Sequence, residues 1–350
     1  MITMERAENS MFYPPRYRHE RMLKFMNAIT KNRQCKEVLY QMTEKAFGKD
    51  KICFDREIVE LDGGFCNVVY LVPLIEEDVI LKIAPSDQVE MMSYEERILE
   101  TEVAVMGLME KYTNVPTPKV LFFDDSKMIC NSSYFFMSKS LGVTYNNLKK
   151  ELSDDQNKSI LQELGRYNKQ INSIKGTYFG LIGKTSSRFA TCREFILSLF
   201  DMLIKDGKRK GSNLVHISYD DLWELLTSCE ELFDEVITPR LVHWDLWDGN
   251  IFVQEGKISG IIDFERAFYG DILMEDAFSS FSEPSKIFLE FYGKEEFTKN
   301  EKIRCTIYRL YRCIVMIVEC DYRLYDSDWQ YNWMIDTLKI ELERLKELIK

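Results

Sequence analysis

The chain has 350 residues, of which 45% are hydrophobic and 29% are charged, and its formal net charge is −11. A chain of this length can bury one large core or two lobes that share a cleft. The acidic balance argues against nucleic-acid binding, which requires a basic face. It suits a cationic small substrate, because a cleft of one sign concentrates the opposite charge, although solubility alone also explains it.

The sequence further predicts a cytoplasmic protein without a membrane span or a disulfide scaffold. No apolar run reaches the ~20 residues that a bilayer crossing requires, and the first residues lack the apolar stretch of a signal peptide. The nine cysteines are odd in number and form no C-x-x-C pair. Reduced thiols are therefore a better interpretation than disulfides or a zinc cluster.

The first 138 residues predict a helical extension followed by a small lobe built around a sheet. Residues 18–47 carry apolar residues at helical spacing, and we expect this helix to end at Gly48. Five short β-like runs follow, with one long helix after the third run. The predicted strands are REIVELD, NVVYLVPL, DVILKIA, KVLFFDD and SYFFMS, and the helix covers residues 94–112. We expect the extension over residues 1–48 and the five-stranded lobe over residues 49–138.

After residue 140 strands nearly vanish, which predicts a larger helical lobe over residues 139–350. A capping box at Ser153 begins its first helix. Helical patterns occupy residues 153–174, 191–206, 219–236, 272–281, 284–296, 300–324 and 328–349. We expect the only β structure of this lobe to be a hairpin within residues 249–263, where IFVQ and ISGIID flank a turn. The fold class is therefore α+β, with two lobes of unequal size.

Polar residues on both sides of this hairpin carry the most specific functional signal. The string H-W-D-L-W-D-G-N, which contains Asp245 and Asn250, precedes the hairpin. The string I-D-F-E, which contains Asp263, lies at the end of the hairpin. Phosphoryl transfer with Mg²⁺ needs one carboxylate at the substrate hydroxyl, and an amide and a second carboxylate on the metal. We therefore predict Asp245 as the catalytic base, and Asn250 and Asp263 as the metal ligands.

These strings resemble the catalytic loop H-G-D-x-x-x-x-N and the metal segment I-D-F/W-x of the aminoglycoside phosphotransferase family of small-molecule kinases. The resemblance covers roughly residues 55–280. It implies a protein-kinase-like two-lobe fold and transfer of the γ-phosphate of ATP, or GTP, to a hydroxyl of a small molecule with Mg²⁺. It also implies that His243 supports the loop through hydrogen bonds, and that Asp271 anchors the loop backbone. A helix N-cap is the plain alternative for Asp271.

The turn between the first two predicted strands resembles the family's G-G-x-x-N segment. Gly63, Gly64 and Asn67 occupy the matching places. Glycines in such a turn let the backbone approach phosphates and offer N–H groups to them. A Gly-Gly hairpin is also often no more than a turn, so the phosphate role depends on the resemblance.

Lys82 lies on the third predicted strand between two apolar neighbours, so its side chain faces one side of the sheet. An exposed lysine on a half-solvated strand is the plain alternative. A glutamate 20 residues on, in the next helix, favours the kinase role, in which the lysine contacts the phosphates and pairs with that glutamate. Glu102 best matches the glutamate of the family's helix segment, and Glu100 is the nearby alternative for the pair with Lys82.

The predicted strand SYFFMS lies where the resemblance places the connection between the lobes. There backbone groups bind the adenine edge and apolar side chains sandwich the ring. We name Phe136 and Ser138 as candidate adenine contacts, although a strand of this apolar content could equally be plain core.

The acceptor is the least determined part of the prediction. The family resemblance and the negative net charge together favour an aminoglycoside or a similar cationic antibiotic as the acceptor. They therefore also favour a role in antibiotic resistance. Choline, methylthioribose, homoserine and ketosamine kinases share the same loop, and the string D-L-W-x-G-N also resembles ketosamine kinases. A non-catalytic kinase-like nucleotide-binding protein is the alternative of a different class. The oligomeric state stays open.

The sequence leaves open the role of Trp244 and the role of the pair Trp329 and Trp333. Trp244 stands where relatives usually have Gly or Asn, and it either packs inward or narrows the acceptor site. Trp329 and Trp333 share one helix face in the acidic C-terminal region, where core packing and a substrate wall are both open.

Overall fold

The computed structural model describes residues 29–61, 66–279 and 285–350. Two predictions lie outside these residues, namely the helical pattern of residues 18–28 and the phosphate contacts of Gly63 and Gly64. Helix α1 is Lys36–Phe47, and it ends at Gly48, whose φ of 86° suits glycine. Residues 29–35 were expected to be helical but form a turn and an irregular segment. The Asn32 side chain there donates instead to Ala84 O and Ser132 Oγ.

The small lobe is an antiparallel sheet of five strands in the order β1-β2-β3-β5-β4. Its strands are β1 (Val59–Glu60), β2 (Val68–Pro73), β3 (Asp78–Ile83), β4 (Val120–Asp124) and β5 (Tyr134–Ser138). Helix α2 (Ile98–Tyr112) follows β3, as the sequence predicts. Residues 94–97, which the periodicity included, precede it because Arg97 adopts a left-handed conformation with φ 58°.

Each face of this sheet contributes to a different core. Leu81 and Phe136 belong to the cluster that α1 covers, whereas Phe135 and Met137 belong to the main core with α2 and the large lobe. Lys82 pairs with Phe135 across strands β3 and β5. Since directly paired residues share a face, Lys82 projects towards the large lobe.

The large lobe is mainly helical. Its helices are α3 (Tyr145–Leu148), α4 (Asp154–Ile171), α5 (Cys192–Lys210), α6 (Tyr219–Thr227), α7 (Asp276–Ser279), α8 (Lys286–Tyr292), α9 (Lys299–Arg323) and α10 (Trp329–Ile349). Ser153, Thr191 and Thr298 form capping boxes at the starts of α4, α5 and α9. The predicted helix at 219–236 ends earlier and is followed by a 3₁₀ turn, Glu230–Glu235.

The large lobe contains more β structure than the sequence predicts. The expected hairpin is present as β9 (Ile251–Gln254) and β10 (Lys257–Ile261), and β6 (Val143–Thr144) joins it. A second sheet has the order β7-β11-β8, with strands Gly180–Leu181, Phe268–Gly270 and Arg240–Val242. The expectation of a single hairpin is therefore wrong, because strands of two or three residues are too short to show a periodicity.

This second sheet positions the functional segments. Strand β8 runs directly into His243, and β11 begins shortly after Asp263. Because Phe268 pairs with Val242, the loop that leaves β8 and the Asp263 segment that leads into β11 adjoin neighbouring strands. Within the described residues, no helix is both long enough and apolar enough to cross a bilayer. All nine cysteines are described, and each is a free thiol.

Candidate active site

Asp245 and Asn250 lie side by side in the loop between β8 and β9. Asn250 Nδ2 donates to the Asp245 backbone oxygen at 2.8 Å and lies 3.4 Å from Asp245 Oδ2. The donor end of the Asn250 amide is thus used within the loop. Its oxygen is the end that can serve a cation.

Backbone and imidazole hydrogen bonds hold the loop against the segment that carries Asp263. Ile262 N donates to Asn250 O at 3.1 Å, and His243 Nε2 lies 3.0 Å from Ile262 O. Asp245 N donates to His243 Nδ1 at 3.3 Å, which leaves Nε2 as the protonated nitrogen of a neutral ring. Burial lowers the pKa of His243, in agreement with that state. His243 therefore links the loop to the residue that precedes Asp263.

A largely buried ion cluster joins β3 and α2 to the Asp263 segment. Lys82 Nζ lies 2.7 Å from Glu102 Oε2, 2.6 Å from Asp263 Oδ1 and 3.2 Å from Glu265 Oε2. The three carboxylates each offer an oxygen within 4.8 Å of the others. The pair of Lys82 with Glu102 was expected, whereas the participation of Glu265 was not.

Burial and the Lys82 charge govern the protonation of this cluster. Burial raises the pKa of Glu102 to about 7 and that of Glu265 to about 8, although Lys82 opposes both shifts. Burial also acts to raise the pKa of Asp263, but the charge and hydrogen bond of Lys82 outweigh it and bring that pKa below its ordinary value. Asp263 is therefore the carboxylate that stays ionised most readily.

Neighbouring polar residues complete the junction of the lobes. Asn67 Nδ2 donates to Glu265 Oε2, which ties the start of β2 to the Asp263 segment. Glu100, the alternative partner of Lys82, faces elsewhere and accepts from Ser133 Oγ at 3.1 Å.

Burial raises the pKa of Asp245, whereas the charges of Arg266 and Arg312 oppose the rise. Asp245 thus lies in a low-dielectric site with cations nearby.

The candidate adenine contacts do not face the cleft. Phe136 is fully buried on the opposite face of the sheet, where its ring lies 5.0 Å from that of Phe47 in α1. Ser138 N donates to Lys119 O, and its Oγ accepts from Lys119 N, each at 2.9 Å. Phe135 and Met137 alternate with Phe136 and take the face that carries Lys82. The assignment of Phe136 as an adenine contact is therefore corrected.

The backbone of the loop that carries Asp245 is anchored by Glu275 and not by Asp271. Glu275 is fully buried and accepts from His243 N at 2.9 Å and from Trp244 N at 3.3 Å. The Asp271 carboxylate accepts from Leu273 N at 3.1 Å, which is the plain N-cap alternative, and also binds Arg304. A short 3₁₀ helix, Ile272–Met274, follows Asp271 and turns the chain. Glu275, four positions after Asp271, is therefore the acidic residue that reaches the Asp245 loop.

Glu275→Gln tests this anchor. The amide nitrogen would face a donor, so we expect the free energy of unfolding to fall by about 1–3 kcal/mol and phosphoryl transfer to slow because the loop loosens. Urea denaturation and steady-state ADP release measure the two effects. Glu290→Gln, at an exposed position on α8, is the matched control. An unchanged stability of Glu275→Gln would contradict the assigned bonds.

Trp244 packs inward, which answers the question that the sequence left open. It is only 5% exposed, and its ring lies 5.7 Å from Tyr94, 5.9 Å from Phe268 and 5.7 Å from Tyr311. Its φ of 67° is left-handed, which explains why Gly or Asn suits this position. The conformation costs a non-glycine residue about 1–2 kcal/mol, and the ring contacts, at about 0.5–1.5 kcal/mol each, offset that cost.

A protein-family model matches the part of the chain that contains these residues. The model of the phosphotransferase enzyme family, APH, matches residues 57–290, which is more than half of the chain. The chain belongs to the APH phosphotransferase family. The predicted membership, phosphotransferase activity and protein-kinase-like α+β fold are thereby confirmed. No curated protein sequence matches this phosphotransferase.

Solved structures show the same fold at low identity. The ternary complex of APH(2″)-IIa with streptomycin and ATP is 18% identical with a TM-score of 0.59, and the match covers 90% of this phosphotransferase and 99% of that chain. A protein described as a fructosamine-3-kinase, from Haemophilus somnus, is 17% identical with a TM-score of 0.64 over 87% and 96% of the two chains. A thermostable mutant of the aminoglycoside phosphotransferase APH(4)-Ia is 16% identical with a TM-score of 0.62 over 87% and 98%.

Proposed function

We propose that this phosphotransferase moves the γ-phosphate of ATP, or GTP, to a hydroxyl of a small cationic molecule. The observation that carries the proposal is the cluster of Lys82 with Glu102 and Asp263, to which the loop of Asp245 and Asn250 is hydrogen-bonded through Ile262. Neighbouring structures support the choice of donor, since their names include complexes with ATP, ADP and GDP.

The side chains have separate roles in this proposal. The Asp245 carboxylate accepts the proton of the acceptor hydroxyl and orients its oxygen towards the γ-phosphorus. The Lys82 ammonium, which Glu102 holds in place, donates to phosphate oxygens of the nucleotide. His243 stays neutral and structural. Phosphoryl transfer has a loose transition state, so positioning of these groups provides most of the rate enhancement.

The donor set fits Mg²⁺. Asn250 and Asp263 provide an amide oxygen and a carboxylate, which are the hard ligands that this ion prefers. The Asp263 side chain is 25% exposed, so a ligand can reach it, and its lowered pKa keeps it ionised. A bound Mg²⁺ would neutralise charge on the transferred phosphate.

An aminoglycoside is the acceptor that we propose first. The chain carries a net charge of −11, and two arginines near Asp245 are paired with acids, since Arg266 binds Glu319 and Arg312 binds Asp276. A cationic acceptor therefore meets little repulsion. Names of neighbouring structures include streptomycin, gentamicin and hygromycin B. Such an enzyme would act in the cytoplasm and confer antibiotic resistance.

A ketosamine is the second candidate. The string D-L-W-x-G-N, which contains Asp245 and Asn250, resembles ketosamine kinases, and the fructosamine-3-kinase-like structure has a TM-score of 0.64. Both candidates place a hydroxyl beside a charged amine, so they use the same catalytic groups and differ in the walls of the acceptor site.

An acceptor screen tests the proposal and separates the candidates. ADP release from Mg²⁺-ATP and Mg²⁺-GTP is measured with aminoglycosides, fructosyl-lysine, choline and other amino alcohols, and the Asp245→Asn enzyme gives the background. We expect acceptor-dependent release with an aminoglycoside. Release with fructosyl-lysine alone would establish the second candidate. Nucleotide binding without turnover on any acceptor would favour a non-catalytic binding protein.

A further inference from the structure

We propose that Arg312 is a positioning residue for the catalytic aspartate. The inference rests on the proposed role of Asp245. Arg312 lies on α9, 68 residues from Trp244 in the chain, and its Nη2 donates to the Trp244 backbone oxygen at 2.9 Å. The bond joins a helix of the C-terminal part of the large lobe to the residue directly before the proposed base.

The bonded oxygen belongs to the peptide that joins Trp244 to Asp245. A peptide unit is planar, so fixing the direction of its C=O also fixes its N–H and the Cα of the following residue. The N–H of this peptide donates to His243 Nδ1 at 3.3 Å. Arg312 and His243 thus hold the two polar groups of one peptide, and that peptide sets the starting direction of the Asp245 side chain.

The neighbouring peptide is held as well. The Trp244 N–H donates to Glu275 Oε2 at 3.3 Å. Trp244 is therefore bonded through its N–H to Glu275 and through its C=O to Arg312, with a left-handed φ of 67° between them. A residue in this sparsely populated conformation persists where surrounding contacts determine it. The arrangement indicates that both bonds are needed to keep the loop in its catalytic form.

Arg312 is itself firmly fixed. Its Nη1 donates to Asp276 Oδ1, and its Nη2 also lies 3.3 Å from Ser279 Oγ. The side chain is 12% exposed, and the guanidinium lies 5.9 Å from the centroid of the Trp244 ring. A planar guanidinium can bind a carboxylate, a carbonyl and an aromatic face at once, which a lysine ammonium does not reproduce.

Arg309 provides a matched control on the same helix. It lies one turn before Arg312, is 11% exposed, and pairs with Glu341 of α10 at 3.6 Å. Removing its charge removes a buried cation from α9 without touching the Trp244 carbonyl. A general loss of packing or stability would therefore appear in both variants, whereas a loss of positioning would appear only at Arg312.

The test compares Arg312→Met, Arg312→Lys, Arg309→Met and Arg309→Lys by kcat for ADP release from Mg²⁺-ATP, the Kd of Mg²⁺-ADP, and thermal unfolding. The best acceptor of the screen is used, or water if none is found. We expect Arg312→Met to lower kcat about 100-fold, with the Kd for Mg²⁺-ADP unchanged within about threefold. Arg312→Lys should recover part of that loss, and both Arg309 variants should stay within about threefold of the wild-type kcat.

Equal kcat losses at Arg312 and Arg309, or a parallel loss of nucleotide binding at Arg312, would overturn the inference. If Arg312→Met fails to fold, the two lysine variants decide the question by the same comparison. Asp245→Asn is measured in parallel. If it keeps full activity, the proposed base is wrong, and that result is distinct from a failure of Arg312.

Discussion

Asp245→Asn is expected to lower phosphoryl transfer by about 10³-fold or more, because the amide cannot accept the proton of the acceptor hydroxyl. The shape of the loop should survive the change. The stronger bond from Asn250 goes to the Asp245 backbone oxygen, at 2.8 Å, and does not depend on the carboxylate. Affinity for Mg²⁺-ADP should therefore remain within about threefold of the wild type.

Steady-state ADP release with a saturating acceptor measures the first effect, and calorimetric titration with Mg²⁺-ADP measures the second. Asp248→Asn is the control within the same loop, since Asp248 is 33% exposed and pairs with Lys149 at 2.8 Å. That variant should keep most of the activity. Full activity of Asp245→Asn, or an equal loss in both variants, would remove Asp245 from the role of base.

Lys82→Met is expected to damage both catalysis and stability. Loss of the ammonium removes a donor to the phosphates, and we expect kcat/KM for ATP to fall by about 10²-fold or more. It also removes the cation that lies within hydrogen-bond distance of Glu102 and Asp263. Breaking a buried ion pair from one side typically costs about 3–5 kcal/mol of folding free energy.

The loss of stability in Lys82→Met should depend on pH. Without the ammonium, the pKa values of Glu102 and Glu265 rise further above those of the unfolded chain, and the lowering of the Asp263 pKa is lost. The folded state then binds more protons than the unfolded state, so stability decreases as pH increases. In the wild type, burial already raises the pKa of Glu102 to about 7 and of Glu265 to about 8. The difference between wild type and variant should therefore be larger at about pH 8 than at about pH 5.

Urea denaturation at both pH values measures this effect. Lys139→Met is the control, because Lys139 is 46% exposed and lies 3.6 Å from Asp78 at the surface. We expect the control to change the free energy of unfolding by no more than about 0.5 kcal/mol. A Lys82→Met protein whose stability loss is the same at both pH values would contradict the assigned charge cluster.

Local spacing explains why the sequence could predict that the segments of Asp245, Asn250 and Asp263 lie together. Asp245 and Asn250 are five residues apart in one loop, and Asp263 follows a hairpin with clear turn signals. The structure brings these segments together through bonds that involve Ile262, which lies directly before Asp263. The pair of Lys82 and Glu102 follows in the same way from a strand and the next helix.

The orientation of β5 could not be predicted in this way. All but the ends of SYFFMS are apolar, so the period of two does not distinguish its faces. The structure shows that both faces are buried, one under α1 and the other against the main core. The position of α1 is a tertiary feature, and it decides that Phe136 lies away from the cleft while Phe135 and Met137 lie on the side of Lys82.

Contacts between residues far apart in the chain account for the other features that the sequence did not predict. Glu275 lies 32 residues from His243, and Arg312 lies 68 residues from Trp244. Neither pair has a spacing that a local pattern could reveal. Trp244 did carry a signal, since the Gly or Asn usual at its position indicates a left-handed backbone, and the structure places it at φ 67°.

A crystal structure with Mg²⁺ and a non-hydrolysable ATP analogue tests the central claim most directly. We predict a metal about 2.1 Å from Asn250 Oδ1 and from an Asp263 carboxylate oxygen, with Lys82 Nζ on phosphate oxygens and the Asp245 carboxylate facing the γ-phosphate. A nucleotide bound on another surface, or a metal held without Asn250 and Asp263, would contradict the account.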